Sequence, residues 1–92
     1  MQYMIIESYT HGPGPVYERF RERGRMAPEG LHYVTSVVTT DGQRCYQLME
    51  CDDTRRLQQW VLQWRGTGVT FEIVPVVPSA QTREIVAPFL EP

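Results

Sequence analysis

Four stretches of the chain follow the two-residue period of β-strands, and two follow the 3.6-residue period of helices. From Tyr3 to Tyr9, Tyr3 and Ile5 fall on one side and Met4 and Ile6 on the other. The run His11-Gly12-Pro13-Gly14-Pro15 breaks this strand. Pro15 suits the first position of a helix, where a missing N–H costs nothing. That helix is expected from about Pro15 to Arg23, burying Val16, Phe20 and Tyr17, with Gly24 as a left-handed terminator. Leu31 to Thr40 is rich in β-branched residues and tyrosine and predicts a second strand. Asp41-Gly42 reads as a two-residue hairpin turn with positive φ at both positions, and Gln43 to Cys51 as the returning strand. Asp52 and Asp53 offer N-caps to a helix from Thr54 to Arg65. Its Leu57, Trp60, Val61 and Trp64 recur at i, i+3, i+4 and i+7, one broad apolar stripe. Gly66 and Gly68 end it, and Val69 to Val77 reads as the fourth strand.

The order βαββαβ predicts an α+β, ferredoxin-like domain: a four-stranded antiparallel sheet with two helices on one face. It takes up residues 1–78, and residues 79–92 form a C-terminal tail with room for a short helix before Pro88. Such a sheet should be apolar on its helix side and polar on the other. These strands are apolar on both: Val34 and Val38 oppose Tyr33 and Val37, and Val74 and Val76 oppose Phe71, Ile73 and Val77. A second copy meeting the first sheet to sheet would cover the free face, giving a homodimeric α/β barrel. The alternative is a tail that folds back over that face within one chain.

Composition narrows the function classes. Ninety-two residues with 41% hydrophobic and 22% charged side chains make one ordinary globular domain. A net charge of -2 gives no basic field for tracking nucleic acid. No apolar run reaches the roughly 18 residues of a membrane span. The segment Met1 to Glu7 lacks the basic start and long apolar core of a signal peptide. A soluble, cytoplasmic protein is expected. All 9 basic residues are arginine, which removes lysine-based Schiff-base or general-base chemistry, and most fall on predicted helix surfaces. Cys45 and Cys51, six apart in one strand, would stand roughly 20 Å from each other. A disulfide needs Cα atoms within roughly 7 Å, so two free thiols and a reducing compartment are expected. There is no CxxC, His11 and His32 have no nearby partners, and prolines interrupt the one Gly-rich loop. No metal, phosphate cradle or organic cofactor is therefore expected.

The candidate chemistry is carboxylate chemistry. Glu7, Glu50 and Glu72 lie in or at the ends of strands, where glutamate is disfavoured. In the ferredoxin-like order the first and fourth strands are neighbours, so Glu7 and Glu72 are expected to approach each other on the open face. Buried together they would raise each other's pKa towards neutrality and act as a catalytic acid–base pair. The alternative is that each is solvated or paired with an arginine. Gln47, in phase with Cys45 and Met49, could orient a bound carbonyl or hydroxyl, or be a satisfied core amide. Arg44, in the opposite phase, could hold a carboxylate or pair with Glu50. His32 and His11 offer imidazoles for binding or proton exchange, though both also fit exposed positions. Tyr3, Tyr33 and Tyr46 could line a pocket and stack on a planar ligand, or belong to the core.

The stretches Arg19-Phe20-Arg21-Glu22-Arg23-Gly24-Arg25-Met26 and Arg44-Cys45-Tyr46-Gln47-Leu48-Met49-Glu50, then Phe71-Glu72 with Pro75-Val76, look like a small bacterial family. That family carries only a domain-of-unknown-function label. It resembles in turn the dimeric α/β-barrel group, which includes cofactor-free monooxygenases, lactone isomerases, polyketide cyclases and small-molecule sensors. The resemblance spans about Tyr3 to Val77 and implies the fold, the dimer and a small-molecule pocket. No catalytic pattern of those better-known groups maps onto this chain. Three functions follow as expectations: acid–base or cofactor-free oxidative chemistry on a small aromatic or polyketide-like molecule, a binding or sensing module, or a structural dimer with a solid interior.

Overall fold

The computed structural model describes residues 1–90, and Glu91 and Pro92 of the predicted tail lie outside the described residues. The elements run β1 (Gln2–Tyr9), α1 (Gly14–Arg23), β2 (His32–Val38), β3 (Arg44–Glu50), α2 (Arg55–Leu62), β4 (Val69–Val76) and α3 (Ser79–Val86), followed by a 3-10 turn at Ala87–Phe89. The strands form one antiparallel sheet in the order β2-β3-β1-β4, the ferredoxin-like arrangement.

Period-two alternation in β1 decides which face is covered. Tyr3, Ile5, Glu7 and Tyr9 are all buried, whereas the alternate residues are only half-buried. The first set joins Val16 of α1, Leu57 and Trp60 of α2, and Cys45 and Met49 of β3 in one core. Both helices therefore cover the odd-numbered face of β1. Phe71 of β4 meets Trp60 edge to face at 5.6 Å, closing the core at that end.

Three local expectations are corrected. The Asp41-Gly42 turn is wider than two residues. Gly42 N–H donates to the Thr39 carbonyl at 2.8 Å, Thr39 pairs with Arg44, and positive φ falls on Gly42 alone. The Asp41 carboxylate accepts from Thr39 Oγ1 and from the Gln43 amide, which stabilises the longer loop. In β2 the register slips between Tyr33 and Thr35, an irregularity that leaves Val34 extra. Tyr33 and Ser36 thus share the helix side with Val38, while Val37 faces the other way, so strict alternation misplaces Val38. Helix α2 stops at Leu62, before the predicted Arg65. The chain tightens there into i-to-i−3 bonds, Gln63 to Trp60 and Trp64 to Val61.

The second face of the sheet carries Met4, Ile6, Leu48, Val74 and Val76, half-buried at best, and Val37, 65% exposed. The tail does not cover it, because every residue from Ser79 to Leu90 is exposed. Isolated helices of eight residues have little stability of their own, and the tail leaves Ile85, Phe89 and Leu90 in solvent.

Candidate functional site

The expected pair of carboxylates does not form. Glu7 pairs in register with Phe71 and Glu72 with Ile6, and residues paired across antiparallel strands project to the same side. Glu7 therefore points to the helix side and Glu72 to the open side, where it is exposed. The one-residue offset between the strands decides this, and sequence phase within each strand could not supply it.

Glu7 meets a different partner. It is 7% exposed and pairs across the β1–β3 ladder with Cys45, and its diagonal neighbour on the same face is Gln47, 5% exposed. Gln47 Nε2 donates to Glu7 Oε2 at 2.7 Å, and Tyr9 OH donates to Glu7 Oε1 at 3.1 Å. Arg25 NH1 donates to Gln47 Oε1 at 3.1 Å, which fixes the amide with its carbonyl towards the guanidinium and its NH2 towards the carboxylate. Burial pushes the Glu7 carboxyl above its ordinary value of 4.5, while the Tyr9 hydrogen bond, the Arg25 charge and the Gln47 hydrogen bond oppose the rise. Burial, with the charge of Glu7 beside it, also raises Tyr9 and the Cys45 thiol.

Arg25 owes its place to the connector after α1. Gly24 holds φ 71° and ψ −160°, a combination open to glycine alone, and Met26 follows at φ 60°. This reversal lays the Arg25 guanidinium over the Tyr33 ring at 3.7 Å from its centroid, with Phe20 at 5.3 Å. Trp60 Nε1 donates to the Arg25 carbonyl at 2.9 Å, anchoring the connector to α2.

These groups border a cavity of about 180 Å³ between the sheet and the helices. Glu7, Tyr9, Cys45 and Gln47 line it from the sheet, with Ser36 and Val38 from β2. Val16, Tyr17 and Phe20 of α1 line another side, and Trp60 and Trp64 a third. Trp64 is 5% exposed, and its indole N–H has no acceptor among the described residues. Its turn is held by Arg19, whose NH1 donates to the carbonyls of Gln63 and Arg65 at 3.1 and 2.6 Å.

Of the residues singled out from sequence, the cavity brings together Glu7 and Gln47, with Tyr33 behind Arg25. Tyr3 faces the same side but is buried in the core away from the cavity lining. Arg44 lies on the opposite face, its NH1 3.4 Å from Tyr46 OH, and does not pair with Glu50. His11 packs against Gly68 in the loop after β1. His32 borders a second, larger and more open depression of about 610 Å³ with Glu29, Cys51, Asp52, Asp53 and Arg56. Asp53 there is already held by Arg55 at 2.8 Å, and no group of three metal-ligating side chains converges among the described residues. Both cysteines are free and buried. Sequence reasoning missed Tyr9, Arg25 and Trp64. Tyr9 was signalled by its two-residue spacing from Glu7, and Trp64 read only as core. Arg25 had no signal, because its position depends on the Gly24 reversal.

No described helix is long and apolar enough to cross a membrane. Neither a curated protein nor a solved structure matches the chain. One family does: its sequence profile spans residues 1–90, taking in the whole sheet and every residue of the cavity, and the chain belongs to that family, described as a domain of unknown function (DUF3303).

Proposed function

We propose that the chain binds a small planar molecule in the cavity beneath α1 and α2, and that Glu7 exchanges a proton with it. The observation that carries this reading is a carboxyl group buried at the wall of an aromatic-lined cavity, with its pKa raised by that burial. A buried glutamate is costly for folding, and such a group set beside empty space is a recurrent feature of acid–base sites. An apolar cavity of roughly 150 Å³ takes up benzene, so about 180 Å³ suits one aromatic ring or a short polyketide-like fragment. Ionised Glu7 takes a proton from an acidic C–H or O–H of the bound molecule and returns it at another position. This chemistry calls for neither metal nor organic cofactor. Glu7→Gln tests it: the amide can still accept from Gln47 and donate to Tyr9 O, so the fold and ligand uptake should persist while turnover is lost. Equal turnover by Glu7→Gln across a panel of enolisable aromatics would overturn the acid–base role.

A second reading, a binding or sensing module without turnover, is favoured by one specific observation. Both Glu7 oxygens already accept hydrogen bonds, so the carboxylate is held in place as much as it is offered to a ligand. Ligand-induced stabilisation without any product would select this reading.

The working unit in either case is a homodimer joined through the open face of the sheet. Both helices lie on the opposite face, and the tail leaves Met4, Ile6, Leu48 and Val74 uncovered. A second copy offers the same apolar surface in a self-complementary arrangement. Light scattering should give twice the 10.7 kDa of this chain at micromolar concentration, and Leu48→Glu should return it to 10.7 kDa. A monomer before substitution would overturn the dimer and leave the cavity untouched.

A further inference from the structure

The hydrogen-bonding groups at the cavity are unevenly matched. On the acceptor side, both oxygens of Glu7 are engaged, by Tyr9 and Gln47, and Gln47 Oε1 is engaged by Arg25. Ser36 Oγ is bonded to Tyr33 OH at 2.7 Å. On the donor side, Trp64 Nε1–H has no acceptor among the described residues, but it is fully buried and offers no donor at the cavity surface. Arg25 has five N–H donors; among the described residues one of them makes a hydrogen bond and none makes an ion pair. Its planar face is taken by the Tyr33 ring, which leaves the edge of the fork as the recognition surface. The spare capacity of this wall is cationic and donating.

We infer that the cavity's ligand is a single-ring aromatic carboxylate, its carboxylate held by the edge of Arg25 and its ring among Tyr17, Phe20 and Trp60. The guanidinium fork matches a carboxylate in two parallel bonds, and the aromatic walls match the ring. The inference rests on the ligand-binding reading above and names the class of molecule that reading leaves open.

Titration calorimetry of the 92-residue chain with benzoate, benzamide and benzylamine tests it. Benzoate should bind at least tenfold more tightly than benzamide, and benzylamine should not bind, because charge-assisted bonds contribute about 1.5–3 kcal/mol, roughly tenfold to a hundredfold in affinity. Arg25→Gln should erase the preference for benzoate over benzamide. Arg25→Lys, which keeps the charge and loses the fork, should retain only part of it. Circular dichroism confirms that each variant is folded, and the three-probe comparison on the unsubstituted chain decides the class even if Arg25→Gln unfolds. Benzamide or benzylamine binding as tightly as benzoate would overturn the carboxylate class while preserving the ligand-binding reading. No binding by any of the three up to millimolar concentration would overturn both.

Discussion

Replacing Gln47 with leucine removes one amide from a fully buried position and keeps its approximate volume. Two bonds go: the 2.7 Å donation to Glu7 Oε2 and the 3.1 Å acceptance from Arg25. Arg25 is half-buried and can take water instead, so the cost concentrates on Glu7. A hydrogen bond to a charged group contributes about 1.5–3 kcal/mol, and one to a neutral group about 1 kcal/mol. Gln47→Leu should therefore destabilise the chain by about 2 kcal/mol where Glu7 is ionised and by about 1 kcal/mol where it is protonated. For a domain of this size 2 kcal/mol corresponds to roughly 8–16 °C in Tm. The sign with pH follows from burial, which makes the folded chain hold the Glu7 proton more tightly than the unfolded chain, at 4.5. Glu7's contribution is then full below pH 4.5 and declines as pH rises through the folded value. Without the Gln47 donor, which opposes that rise, the folded pKa climbs further and the decline deepens. Urea melts followed by Trp60 and Trp64 fluorescence at pH 4, below the unfolded value, and at pH 8 measure this directly. A penalty that is equal at both pH values, or a variant as stable as the parent at pH 8, would refute the account of the Glu7–Gln47 pair.

Gly24→Ala should cost about 1–3 kcal/mol in urea unfolding although nothing lies within 4 Å of the added methyl, because the cost is conformational. It should also weaken benzoate binding, since the same reversal aims Arg25, and an unchanged melt would contradict the role of Gly24. Trp60→Phe should be more destabilising than Trp64→Phe by about 1 kcal/mol, because only Trp60 loses an indole hydrogen bond. The reverse order in thermal melts would count against the assignment of the two indoles. Cys45, buried and with its thiol pushed up by burial, should react with iodoacetamide at pH 7.5 far more slowly than glutathione does. Reaction at the glutathione rate would show that the cavity wall opens freely to solvent.

The sheet and its helices were legible because period and punctuation agreed in every element. Pro15, Gly24, Gly66 and the Asp41-Gly42 pair mark the ends that the structure shows to within a few residues. Alternation also placed Glu7 with Tyr3 and Ile5, and Gln47 with Cys45 and Met49, which is how half of the buried network could be read. Two things were not legible. Register between strands that are distant in sequence is set by pairing, so the side of the sheet that Glu72 shares with Glu7's neighbours could not be read from its own strand. Backbone irregularity also carries no periodic signal: the β2 slip at Val34 turned Ser36 and Val38 towards the cavity, and the Gly24–Met26 reversal delivered Arg25. The apolar second face was legible as a surplus, and the structure leaves it uncovered within one chain.

The account's central claim is a ligand cavity on the helix side of the sheet, and the two indole N–H resonances test it most directly. In a nitrogen-15 correlation spectrum titrated with benzoate, the Trp64 indole N–H should shift as an aromatic ring enters the cavity beside it. The Gln47 side-chain amide and the Trp60 indole N–H, beside which the ligand ring is placed, should shift with it. Shifts confined to Met4, Ile6 and Leu48 on the open face, with Trp64 unmoved, would contradict the claim.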